Sequence, residues 1–294
     1  MQPSNRDGVP DCAWEATIKV REPKNRKRKR HWRIAGIWPG RTWRRGWRVW
    51  RKTPAGLQII VSVTAALSLL LGLNWAYQVT RKPSELFFPV SASLYKTPAQ
   101  TWARYGALFE EHATALVTPE LLAALAQVEA SGNPVGRTYW RWSFQRMPFE
   151  IYRPSSSAVG MFQMTDGTFA QARRYCIHAH KVVAQGHWYE PRACWFNSLY
   201  ARTVASNAIE LTSAYLDRAS TATLQRLRIT DVTLEQTQDL AAVIHLCGAG
   251  TGEIYARRGF RLAAGERCGS HDAQAYVMRV SQMKKTFRGL AHAP

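Results

Sequence analysis

Thr118-Pro-Glu-Leu-Leu-Ala-Ala-Leu-Ala-Gln-Val-Glu-Ala-Ser-Gly-Asn-Pro134 is the stretch on which the reading of the fold turns. A hydroxyl followed by proline is a helix start, with Thr118 as the cap and Pro119 in the first turn, where no amide hydrogen is needed. Leu121, Leu122, Leu125 and Val128 then repeat at helical spacing and form one apolar stripe. Gly132-Asn133-Pro134 closes the helix. Glu129 follows on the striped side, four residues past Leu125, so it points inward. A carboxylate on an apolar helical face is costly unless it is protonated, paired or at work. A capping or paired role is the plain reading of such a Glu, and a chemical one is the sharper reading.

Two glycine-containing stretches lie further along. Ser155-Ser-Ser-Ala-Val-Gly160-Met-Phe-Gln163-Met-Thr-Asp166 is a serine-rich loop running into Gly160-Met161-Phe162-Gln163, with Thr165 or Asp166 placed to cap a following helix. Glycine lets backbone approach a ligand, and glutamine offers a donor and an acceptor to sugar hydroxyls. Leu240-Ala-Ala-Val-Ile-His-Leu then leads into Cys247-Gly248-Ala-Gly250-Thr-Gly252. This is no phosphate loop, because the Lys-Ser/Thr ending and the preceding strand are both missing. Residues 101–290 as a whole read as mostly helical.

The order of these pieces resembles the SLT family of lytic transglycosylases, lysozyme-like enzymes that cut murein. Gln127-Val-Glu129-Ala-Ser-Gly-Asn-Pro134 stands for the family's Glu-Ser-x-Phe/Asn-Pro, Gly160-Met-Phe-Gln163 for Gly-Leu-Met-Gln, and Gly248-Ala-Gly-Thr-Gly252 for Asn-Ala-Gly-x-Gly, with Tyr276-Val277 last. The likeness spans roughly residues 100–285. It implies a lysozyme-like domain of the α+β superfamily, mostly α. Peptidoglycan glycan strands would be the substrate and Glu129 the single catalytic acid and base. Ser157, Gly160, Met161, Gln163 and Gly250 would bind saccharide, the first three through backbone, and Tyr276 would orient Glu129. Gln163 as a helix cap and Tyr276 as a core aromatic are the plainer roles. The sequence departs from the family where Cys247-Gly248 replaces Tyr-Asn, where Ser131 is displaced from the position after Glu129, and where Asp166 replaces a proline. A water-using muramidase, and a non-catalytic wall-binding component of a secretion or conjugation apparatus, are the alternatives. No cofactor is implied.

The chain carries 40 Lys and Arg against 20 Asp and Glu, but the excess is uneven. Residues 1–56 hold sixteen basic and four acidic side chains, and residues 57–79 hold no charge. The basic character therefore belongs mainly to a tail, which argues against a nucleic-acid-binding domain. The tail includes Lys24-Asn-Arg-Lys-Arg-Lys-Arg30, and Trp43, Trp47 and Trp50 interleaved with arginines, a pattern that suits a short interfacial helix. The apolar run from Leu57 to Tyr77 has the roughly 20 residues needed to cross a hydrocarbon core of about 30 Å. It is too long for a signal peptide and too far from the N-terminus; a buried core helix is the remaining competitor. The basic side of such a span stays cytoplasmic. The expected arrangement is a cytoplasmic tail (1–56), a single span through the inner membrane (57–79), a linker (80–100) and a periplasmic domain (101–290). An extended linker would reach about 60 Å at ~3.1 Å per residue.

Cys12 falls in the tail, while Cys176, Cys194, Cys247 and Cys268 fall in the exported part, where an even number favours two disulfides. Short loops close most readily, which favours Cys176–Cys194 and Cys247–Cys268. Zinc held by Cys176, His178, His180, His187 and Cys194 is the rival, although their spacing matches no closed zinc module, and no metal is expected.

Overall fold

The structure is a computed structural model and describes residues 46–292 apart from 48, 144–149, 185, 187, 188, 191 and 192. The Lys24–Arg30 run, Cys12, Trp43 and His187 lie outside the described residues. The chain divides into two compact units, residues 1–61 and 62–294. In the first, residues 46–47 and 49–52 are helical, and the Arg51 guanidinium stands 5.7 Å over the Trp47 ring.

Helix α1 (Ala55–Arg81) contains the whole apolar run. Its large side chains are uncovered by protein: Ile60, Leu69 and Leu70 are 63%, 64% and 56% exposed. That removes the buried-core reading and leaves, among the described residues, a single apolar helix long enough to cross a membrane. Asn74 and Gln78, in its last two turns, are the buried exceptions.

The second unit is mostly helical. Its centre is α4 (Pro119–Ala130), where every residue from Leu121 to Ala126 is fully buried. Thr118 caps it by accepting from the Leu121 amide, and Ser131 ends it in the left-handed conformation. Around α4 pack α3 (Pro98–Glu111), α6 (Ala205–Leu227) and the C-terminal α9 (Ala273–Ala291), and α9 also packs on α7 (Leu234–Cys247). The short α8 (Ala249–Arg257) follows α7 after a single residue, Gly248, and lies against α6 and α7. Phe109, Met161, Phe162, Ile209, Leu240 and Phe287 fill the space between these helices.

Among the described residues the unit also has three antiparallel two-stranded hairpins: β1 (Trp140–Trp142) with β2 (Tyr152–Pro154), β3 (Tyr175–His178) with β4 (Lys181–Ala184), and β5 (Arg267–Cys268) with β6 (His271–Asp272). The sequence did not announce them, because strands of two to four residues are too short for a period-two pattern to register. Cys176–Cys194 and Cys247–Cys268 are both paired, with Cα separations of 5.4 and 5.2 Å. The first pairing removes the thiolates that a zinc site at Cys176 and Cys194 would use.

Residues 80–100 are not an extended strap. They fold into a 3₁₀ turn (Pro83–Phe87), the one-turn α2 (Phe88–Ser91) and a second 3₁₀ turn (Ala92–Leu94). These turns are bonded to the end of α4: Asn133 Nδ2 donates to the Ser91 carbonyl at 2.7 Å, and the Lys96 amide donates to the Ser131 carbonyl at 2.8 Å. Glu85 is fully buried there. It accepts from Trp140 Nε1 at 2.8 Å and sits 3.2 Å from Lys82 Nζ, a pairing that a buried charge requires. The 60 Å reach of an extended linker is therefore replaced by a strap folded onto the domain.

Candidate active site

Glu129 occupies the last turn of α4, where the buried stripe gives way to partial exposure; its side chain is 16% exposed. Tyr276, in the first turn of α9, donates its hydroxyl to Glu129 Oε1 at 2.5 Å. The close packing of α9 along α4 makes that bond possible across 147 residues of sequence. Tyr276 is itself buried. Burial first, then the Glu129 charge and the hydrogen bond to it, push its hydroxyl well above the usual value of 10. The phenol therefore stays a donor, and Oε1 stays an acceptor. Any proton that Glu129 carries then sits on Oε2.

His245 is the third member of the site, and sequence reasoning missed it. It lies in the last turn of α7, its side chain only 8% exposed, with Nε2 3.6 Å from Glu129 Oε1. That is beyond a hydrogen bond and within electrostatic reach. The signal was present in Leu240-Ala-Ala-Val-Ile-His-Leu: an imidazole inside an apolar helical run occupies a phase that otherwise faces protein. Cys247, two residues on, is tied to Cys268 just before α9. One disulfide thus links the helix bearing His245 to the segment leading into Tyr276.

Gly160 takes φ +85°, and a Cβ there would meet the Arg202 carbonyl oxygen at 2.2 Å, so only glycine fits. Gln163 also has positive φ, +46°, an uncommon conformation for a side chain of its size. Its Nε2 donates to the Gly160 carbonyl at 2.9 Å, which closes the loop on itself. Gln163 caps no helix; Thr165 caps α5 (Asp166–Ala172) by accepting from the Thr168 amide. A Cβ built on Gly136 would meet Ala130 Cβ at 2.7 Å and Gln163 Nε2 at 3.2 Å. Gln163 therefore comes close to the residue that follows Glu129.

The other expected saccharide contacts are less central. Met161 is fully buried in the core, so only its backbone could meet a ligand. Ser157 Oγ accepts from the Asp166 amide at 3.2 Å, and its carbonyl accepts from Arg202 Nη1 at 3.0 Å. Gly250, in the first turn of α8, faces open space. The two further carboxylates that could have partnered Glu129 are engaged elsewhere. Glu150 lies 2.8 Å from Arg81 and 3.4 Å from Arg153, and Asp166 lies 2.7 Å from Arg202. A cavity of about 500 Å³ is lined by Arg81, Lys82, Arg153, Ser157, Asp166 and Arg202 but not by Glu129.

Scans and searches of protein-family models, curated proteins and solved structures find nothing that matches this chain.

Proposed function

We propose that the chain is a membrane-anchored lytic transglycosylase of lysozyme-like fold that cleaves the β-1,4 bond between MurNAc and GlcNAc in peptidoglycan. The observation that carries this reading is the pair formed by Glu129 and the buried Tyr276 hydroxyl at 2.5 Å, with no other carboxylate bonded to either among the described residues. Glycosidases that use water normally flank the bond with two carboxylates. A lone one suits a reaction whose nucleophile is built into the substrate.

In that reaction Glu129 donates the proton on Oε2 to the glycosidic oxygen as the C1–O4 bond breaks. Glu129 Oε2 then takes the proton of the MurNAc C6 hydroxyl, whose oxygen bonds to C1 and gives a 1,6-anhydro sugar. Glu129 ends as it began, and no water is consumed. Tyr276 keeps Oε1 occupied throughout, so both transfers pass through Oε2. Gln163 and the backbone from Ser157 to Met161 hold the glycan. The charge asymmetry about α1 supports a domain on the periplasmic side of the inner membrane, where murein lies, with the basic tail in the cytoplasm.

The test is mass spectrometry of peptidoglycan digested with the full chain. Anhydro ends support this reading. Reducing ends indicate a hydrolytic muramidase, and no products indicate a wall-binding component of an envelope machine.

A further inference from the structure

Two polar contacts near the end of α1, from buried Asn74 and exposed Arg81, hold the β1–β2 hairpin beside it. Asn74 Nδ2 donates to the Tyr152 carbonyl of β2 at 2.7 Å, and Arg81 Nη1 pairs with Glu150 at 2.8 Å. Counted from Ala55, just past Arg51 and Lys52, about 20 residues at about 1.5 Å each cross a core of ~30 Å and end at Asn74, with Trp75 and Tyr77 beyond it at headgroup level. The hairpin therefore descends alongside the final turns of the apolar helix, not above them. The polar interface of a bilayer is only about 5–7 Å deep on each side of the hydrocarbon. A hairpin bonded at the level of Asn74 lies within that layer.

The chemistry of the hairpin suits that layer. Trp142 stands opposite Tyr152 in the register, and their rings are 4.7 Å apart. Trp142 is nevertheless 57% exposed, and Ile151 beside Tyr152 is 37% exposed. Exposed tryptophan and tyrosine next to a span are the residues that settle at headgroup level. On the other face Arg141 stands directly opposite Arg153. Like charges so placed repel, and among the described residues Glu150, 3.4 Å from Arg153, relieves only that one of them. An anion beside Arg141 would relieve the other.

We propose that the β1–β2 hairpin docks on the outer headgroup layer beside α1, with Trp142 and Ile151 in the interface and Arg141 against lipid phosphate. The domain is then held at a fixed height and orientation on the membrane, not carried on a tether. This rests on α1 spanning a bilayer and is independent of the chemistry of Glu129.

The experiment uses the full chain in vesicles of phosphatidylcholine and phosphatidylglycerol, in a Cys12→Ser background, with an environment-sensitive fluorophore on one introduced cysteine. Positions are Ile151→Cys on the hairpin, Leu67→Cys inside α1, and Ile254→Cys on α8, whose packing partners are α6 and α7. The expected result is a blue-shifted emission at position 151, with loss of fluorescence in shallow spin-labelled lipid and shielding from iodide. Position 254 should show none of these. Adding Trp142→Ala with Arg141→Glu should return position 151 to water. Lipid quenching at 67 together with a water-like signal at 151 overturns the docking and leaves the anchor standing. A water-like signal at 67 overturns the anchor and the docking with it.

Discussion

The centre of the domain and its membrane-proximal edge are held together by different forces. Around Glu129, α4 is buried on nearly all sides, and α9 and α7 bring Tyr276 and His245 to one carboxylate oxygen. At the edge, α1, the strap and the β1–β2 hairpin are joined by single polar bonds, Asn74 to Tyr152, Arg81 to Glu150 and Asn133 to Ser91. Apolar packing fixes position to a fraction of an ångström and tolerates little change in volume. The Arg81–Glu150 pair is exposed and worth little, while the Asn74 and Asn133 bonds are buried and hold the edge by hydrogen bonding, each worth about 1 kcal/mol. Chemistry that depends on a 2.5 Å bond belongs on the first kind of scaffold, and an element that adapts to a lipid surface can be built on the second.

The largest effect expected from breaking the centre is on catalysis. Glu129→Gln keeps the shape of the side chain and removes its proton transfer, so release of anhydromuropeptides should fall by at least ~10²-fold while the thermal midpoint stays at the parent's. Tyr276→Phe should cost about 10–100-fold in turnover, the range of a hydrogen bond to a charged group, and leave strand binding in a pull-down intact. Tyr276 also has a pH signature. Its folded pKa lies above its ordinary value of 10, so the stability it contributes is full below pH 10 and is lost only as pH rises through the higher folded value. Ultraviolet titration of the folded domain should show the main tyrosinate step unchanged in Tyr276→Phe, with one late step missing.

The disulfides sharpen the contrast. Opening Cys247–Cys268, which closes a 21-residue separation, should cost about 3 kcal/mol. It should also lower activity by freeing the segments that lead to His245 and Tyr276. Opening Cys176–Cys194 should cost a similar stability, measured by urea melts, and spare the turnover of the protein that remains folded. The smallest effect is expected at the edge. Glu150→Gln removes the carboxylate paired with Arg81, which is 60% exposed, and should change stability by no more than about 1 kcal/mol with unchanged cleavage of soluble glycan.

This difference between centre and edge also explains what the sequence disclosed. The cap at Thr118, the stripe from Leu121 to Leu125 and the inward phase of Glu129 are consequences of helical periodicity, and the structure has them. The two cysteine pairs follow from loop length. The inward phase of His245 was legible in its apolar helix, but its partner Glu129 is more than a hundred residues away, and no local pattern records that pairing. The folded strap escaped because Pro83, Pro89 and Pro98 suggest extended chain. What bends it into turns is Asn133 and Glu85 bonding across the fold, which no local pattern records. The hairpins were hidden by their brevity.

The central claim is that Glu129 moves protons within one sugar and never activates water. Digesting peptidoglycan in heavy-oxygen water tests it most directly. Parent protein should release anhydro-ended fragments that carry no heavy oxygen, and Glu129→Gln should release none. Heavy oxygen at newly formed reducing ends, or equal release by the variant, would contradict the account.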